Sequence, residues 1–95
     1  MQSPAEVPIR QQLLDEAKKI IGSDRNLDYG RPENNFAVIA ALWTAYKDVE
    51  FDAHDVAVMM VLLKVARIKT SPGKTDHWVD IAGYAGCGGE VAVLE

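Results

Sequence analysis

The chain has 95 residues, 48% of them hydrophobic and 25% charged, with a formal net charge of −4. A chain this short makes one domain and buries only a little over ~60% of its unfolded surface, so partners in an oligomer would help it. The composition excludes a disordered or collagen-like chain, the acidic balance argues against a general nucleic-acid binder, and the single Cys87 leaves no internal disulfide or cysteine-rich zinc site and fits a reducing cytoplasm.

Residues 1–7 read as a loose leader to a single helical domain spanning 1–95, and nothing there has the basic start and apolar core of a signal peptide. Pro8 suits the first turn of a helix over about 8–21, in which Ile9, Leu13, Ala17 and Ile20 make one stripe and Gly22 marks the end. The stretch from Gly22 to Pro32 is polar and glycine-punctuated, longer than the ~4–6 residues usual for a connection, and is either a functional loop or a surface connection. A second helix over 32–47 begins at Pro32, with Glu33 where the helix dipole favours a carboxylate, and carries Phe36, Ile39, Ala40, Trp43 and Tyr46 as its stripe.

Asp52, followed by Asp55 at the third position, looks like the cap and acidic first turn of a third helix over 53–70. Between Val56 and Leu63 no residue is polar, so this helix is apolar on every side, must be enclosed, and is expected at the centre of the fold. The run is far short of the ~20 residues a membrane span needs, which points to a soluble cytoplasmic protein with no membrane partner. Ser71, Pro72 and Gly73 end the helix. Thr75 caps a fourth helix with Trp78, Ile81, Ala82 and Ala85 inward. Gly83, Gly86, Gly88 and Gly89 each weaken a helix by roughly 1 kcal/mol relative to Ala, so the helix is expected to stop by about 88 and leave 89–95 as an apolar tail. The expectation is therefore an all-α, four-helix bundle-like domain, oligomeric because it carries so much apolar surface for its size.

The side chains that could carry chemistry gather on the last two helices. Lys64 and Arg67, three residues apart on one face, could address the same anion, or could mark where the third helix emerges into water. Asp76 and Asp80, one turn apart, present two hard oxygen ligands on one face as a divalent cation requires, although Asp76 also suits a first turn. Asp80 lies deeper in its helix, at a subunit edge, paired with Lys64 or Arg67, or functional. Glu33 and Asp55 are further acids that the helix dipole also explains. His54 and His77 lack metal-ligand spacing and read as surface residues, while Cys87 reads as a small buried filler.

Asp28-Tyr29-Gly30, Pro32-Glu33-Asn34-Asn35-Phe36, Leu63-Lys64-Val65-Ala66-Arg67 and the run from Asp76 to Ala85 together resemble a family of small uncharacterised helical proteins of phages and their bacterial hosts. The order of these motifs is similar to a nucleotide-modification-associated phage family, and more remotely to the MazG-like all-α nucleoside triphosphate pyrophosphohydrolases. That remote resemblance implies acidic side chains on facing helices that hold Mg²⁺ against nucleotide phosphates, with an activated water cleaving between the α- and β-phosphates. Asp80 would match the final acid of that superfamily's Glu-x-x-Asp element. The chain departs from the pattern in having His77 where the Glu stands and no Glu-x-x-Glu on an earlier helix.

The leading expectation from this resemblance is a Mg²⁺-dependent nucleotide pyrophosphohydrolase. Asp80 and Glu33 would be catalytic and Asp80, Asp76, Asp55 and Glu33 would hold the metal, while Lys64, Arg67, Asp28, Tyr29, Trp78 and Tyr84 would bind the nucleotide. A second expectation is a non-catalytic protein that sequesters a nucleotide or cyclic nucleotide, which needs cations and aromatic platforms but no metal cluster. A third is a structural helical adaptor. If the protein is phage-encoded, it acts in the host cytoplasm.

Overall fold

The computed structural model describes residues 7–24 and 31–94, without the side chains of residues 23, 24, 32 and 33. The backbone forms four α-helices, α1 (Ile9–Lys19), α2 (Pro32–Lys47), α3 (Ala53–Thr70) and α4 (Thr75–Leu94), with a π-helical turn Ile20–Asp24 continuing α1. No strand occurs among the described residues, and the all-α, bundle-like class expected from the sequence is what the chain adopts. The leader residues 1–6 and the loop residues Asp28 and Tyr29 lie outside the described residues.

The α2–α3 corner is built from short polar signals. Asp48 adopts the left-handed conformation at φ 55°, which Asp tolerates better than most residues, and its N–H donates to the Thr44 carbonyl at 2.8 Å to close α2. The Phe51 N–H then donates to Thr44 Oγ1 at 2.9 Å, and the Phe51 ring meets Trp43 edge-on with centroids 5.9 Å apart. A reciprocal capping box opens α3: the Asp55 N–H donates to Asp52 Oδ1 at 2.8 Å, and the Asp52 N–H donates to Asp55 Oδ2 at 3.0 Å. At the far end of α3, the Trp78 Nε1–H donates to the Pro72 carbonyl at 3.0 Å and pins the turn into α4.

The pairing of α3 with α4 is antiparallel. Lys64 meets Asp80, and Ala57 meets Gly88, so moving seven residues back along α3 moves eight forward along α4. A Cβ added at Gly88 would lie 2.9 Å from the Ala57 Cβ, closer than real Cβ contacts come, so the two helices approach here because Gly88 has no side chain. Gly83 and Gly86 do the same for α1: added Cβ atoms would lie 3.4 Å and 3.2 Å from the Ile21 side chain, which the π turn delivers into that notch.

These contacts correct the expected end of the last helix. Three of the four glycines counted as helix breakers, Gly83, Gly86 and Gly88, are points where neighbours come close, and the helix runs to Leu94 rather than stopping by 88. Val91, assigned to a tail, is fully buried in the core with Phe36, Ala40, Ala53, Val56 and Ala57. Tertiary packing thus outweighs a propensity cost of roughly 1 kcal/mol per glycine. The same contacts carry helical winding past Gly22, expected to end the first helix.

α4, rather than α3, touches every other helix. α3 turns Val56, Ala57 and Met60 inward against α2 and α4, but its opposite face, including Val58, Leu62 and Val65, is exposed within the single chain. The expectation that α3 is enclosed on all sides is met on one side only. Four stripe residues also face outward: Ile9 is exposed on α1, Tyr46 on α2 and Ala85 on α4, and Trp78 is half-exposed on α4. No helix among the described residues is long and apolar enough to cross a membrane.

Candidate functional site

Lys64 sits one turn before the last turn of α3, on the side that faces α4, and Asp80 sits in the second turn of α4. The antiparallel register brings them together with Lys64 Nζ 2.9 Å from Asp80 Oδ2, and their side chains are 16% and 25% exposed. A pair held this way is screened less than a surface pair, yet water still reaches both partners. The sequence left Asp80 as edge, paired or functional, and the structure shows it paired.

Arg67 lies three residues beyond Lys64 and is exposed, with no ion-pair partner among the described residues. Its carbonyl closes the helix by accepting from the Ser71 N–H at 3.1 Å and from Thr70 Oγ1 at 3.2 Å, while the guanidinium remains in water. Asp76 is exposed one turn before Asp80. Trp78 offers a half-exposed face beside the same turn. Tyr84, one turn after Asp80, packs its ring on Phe36 with centroids 6.4 Å apart, which brings the start of α2 to this part of the molecule. One end of the α3–α4 pair thus collects Lys64, Arg67, Asp76, Trp78 and Asp80.

Asp55 does not join them. It lies nine residues before Lys64, roughly 13 Å along the α3 axis, and its Oδ2 is committed to the capping box. The carboxylates of Asp55, Asp76 and Asp80 therefore do not form a common three-acid group in this chain. The group of ligand-type side chains that does converge is Asp52, His54 and Asp55 at the start of α3, where helix capping already accounts for both acids. Glu33 stands in the first turn of α2, and its side chain lies outside the described atoms, as do Asp28 and Tyr29.

Asp76 and Asp80 stand one turn apart on α4, Asp76 exposed and Asp80 paired with Lys64. Mg²⁺ keeps several waters and is commonly held by one or two carboxylates together with substrate phosphates. An open groove of about 220 Å³ lies further along the same helices, between Ala57 and Val61 of α3 and Tyr84, Gly88 and Ala92 of α4, with His54 at its rim. It is apolar and contains neither cation.

Sequence reasoning missed His77, which is 7% exposed rather than at the surface, with Nδ1 lacking a hydrogen-bond partner among the described residues. A signal was available: His77, Tyr84 and Val91 are spaced by seven, so all three lie near the same α4 face. Trp78, not His77, is the more exposed residue there.

Residues 12–92 match the profile of a family described as a domain of unknown function, DUF6378. The chain is 43% identical over 77 residues to the Gene 55 protein of Mycobacterium phage D29, covering 81% of this chain and 51% of that protein. To the Gene 55 protein of Mycobacterium phage L5 it is 52% identical over 75 residues, covering 78% of this chain and 48% of that protein. The matched region therefore spans about half the length of these relatives. No solved structure matches the chain.

Proposed function

The chain belongs to the DUF6378 family, with relatives encoded by phages, and we propose that it is a small helical domain that takes the phosphates of a nucleotide at Lys64 and Arg67. The observation that carries this reading is the water-accessible Lys64–Asp80 pair at 2.9 Å, one turn from an exposed guanidinium that has no ion pair among the described residues. An ammonium and a guanidinium three residues apart can share one phosphate, the guanidinium by two parallel N–H donations. Without ligand, Asp80 holds Lys64 in place. With a nucleotide present, Lys64 Nζ would donate to phosphate as well, and Asp80 and Asp76 would be the residues to hold Mg²⁺. Trp78 and Tyr84 supply aromatic surface near the same end.

The more specific version is MazG-like pyrophosphohydrolysis. Here Mg²⁺ would be held by Asp76 and Asp80, with Glu33 as the further acid, and would neutralise phosphate charge and lower the pKa of a bound water. Asp55 is too far along α3 to serve within the same chain. Among the described side chains the converging acids are fewer than the superfamily pattern implies, and this favours a second reading, in which the protein binds and sequesters a nucleotide or cyclic nucleotide without turning it over.

Calorimetric titration of the protein with nucleoside mono-, di- and triphosphates and cyclic nucleotides, with and without Mg²⁺, tests the binding claim. Pyrophosphate release under the same conditions separates the two versions. Binding that weakens at least ~10-fold in Arg67→Ala is expected, as follows from losing a charge-assisted pair of ~1.5–3 kcal/mol. Turnover abolished by Asp80→Asn supports hydrolysis. Absence of binding by every nucleotide tried, from a folded protein, removes the proposal and leaves a structural adaptor.

A further inference from the structure

The uncovered side of α3 is not a random apolar surface. Val58, Leu62 and Val65 are spaced four and three residues apart, and the same alternation continues outward to Asp55 at one end and Lys69 at the other. All three apolar residues are exposed, Leu62 at 60% and Val65 at 50%, and Met59 and Ala66 flank the row. A row spaced three and four is the seam of two helices packed side by side. It lies opposite the stripe of Val56, Ala57, Met60 and Lys64 that faces the bundle, so α3 has two packing faces and only one is used within the chain.

We propose that this face is covered by a second copy of the same chain, with the two α3 helices antiparallel about a two-fold axis at Leu62. The charges select this occupant and direction. Asp55 and Lys69 each stand seven residues from Leu62, on opposite sides. Antiparallel pairing about Leu62 therefore places Asp55 of one copy opposite Lys69 of the partner subunit, twice by symmetry, and Met59 opposite Val65 of the partner subunit. Parallel pairing would set Asp55 against its own equivalent and Lys69 against its own. The capping box uses Oδ2 of Asp55, leaving the other oxygen for the cross-interface pair.

The face is separate from the cation end: Lys64 points towards α4, and the seam residues point away from it. The dimer therefore stands or falls independently of the nucleotide reading.

Sedimentation velocity on the full chain across the micromolar range tests the proposal. A dimer is expected, and a monomer throughout that range overturns it, leaving the face for a different protein. Leu62→Glu sets two carboxylates face to face across the axis and should weaken the dimer roughly 100-fold. Leu62 is mostly exposed in the single chain, so the variant should keep its helical circular dichroism; a folded Leu62→Glu that stays fully dimeric overturns the proposal. Lys69→Glu turns both attractions into repulsions and should weaken association roughly threefold to tenfold. Direction is read from spin labels on Lys69→Cys in a Cys87→Ala background, expected about 21 Å apart along the helix axis. Labels side by side would contradict the antiparallel arrangement.

Discussion

The two ends of the α3–α4 interface solve the same packing problem in opposite ways. At one end Ala57 meets Gly88 so closely that even a methyl group would collide, and Val91 beside it is wholly buried. At the other, Lys64 and Asp80 span a wider gap with an ion pair that water can reach. The closed end holds the helices in close contact, and the polar end leaves charged groups within reach of water. Small residues bring the pair together at one end, and a polar bridge joins it at the other.

The largest expected effect comes from disturbing the closed end. Gly88→Leu inserts a side chain where a Cβ already lies too close to Ala57, and overpacking of this kind costs about 3 kcal/mol. Urea unfolding should show it; a variant as stable as wild type would mean the helices are not in this register. At the polar end, Asp80→Ala leaves a largely covered ammonium without its carboxylate, and a loss of about 2 kcal/mol is expected, less than the full cost of a dry pair because both groups reach solvent. Should Gly88→Leu prove milder than Asp80→Ala in the same unfolding experiment, the assignment of closed and open ends would be reversed.

Smaller effects probe how the closed end is capped. Asp52→Ala removes one half of the capping box at the start of α3 and should cost about 1 kcal/mol. Asp48→Gly relieves the left-handed conformation at the end of α2 and should raise stability by about 0.5 kcal/mol, read as a small upward shift in Tm. A fall in Tm would show that the Asp48 side chain contributes more than its backbone strain costs.

The boundaries of α2 and α3 were readable because local chemistry writes them: Pro32 at the first turn, Asp52 with Asp55, and Ser71-Pro72-Gly73 after Thr70. The end of α4 was not, because a glycine's cost in an isolated helix is local whereas its value here depends on Ala57 and Ile21, which are distant in sequence. The apolar run in α3 correctly signalled a need for cover, but composition could not say that its own chain covers only one side. Of the candidate site, the pairing of Asp80 with Lys64 was among the alternatives the residues offered. The separation of Asp55 from Asp80 follows from the antiparallel register, which no short motif encodes.

The central claim is that the polar end binds phosphate and is not merely a structural bridge, and Arg67 tests it most directly because it is exposed and forms no ion pair among the described residues. Thermal melts of wild type and Arg67→Ala are compared alone and with saturating nucleotide and Mg²⁺. The account predicts equal Tm values without ligand. With nucleotide at about 100 times its dissociation constant, wild type should gain about 2.7 kcal/mol, several degrees for a domain this small, and Arg67→Ala should gain much less. A wild type that no nucleotide stabilises, or an Arg67→Ala variant stabilised equally, would contradict it.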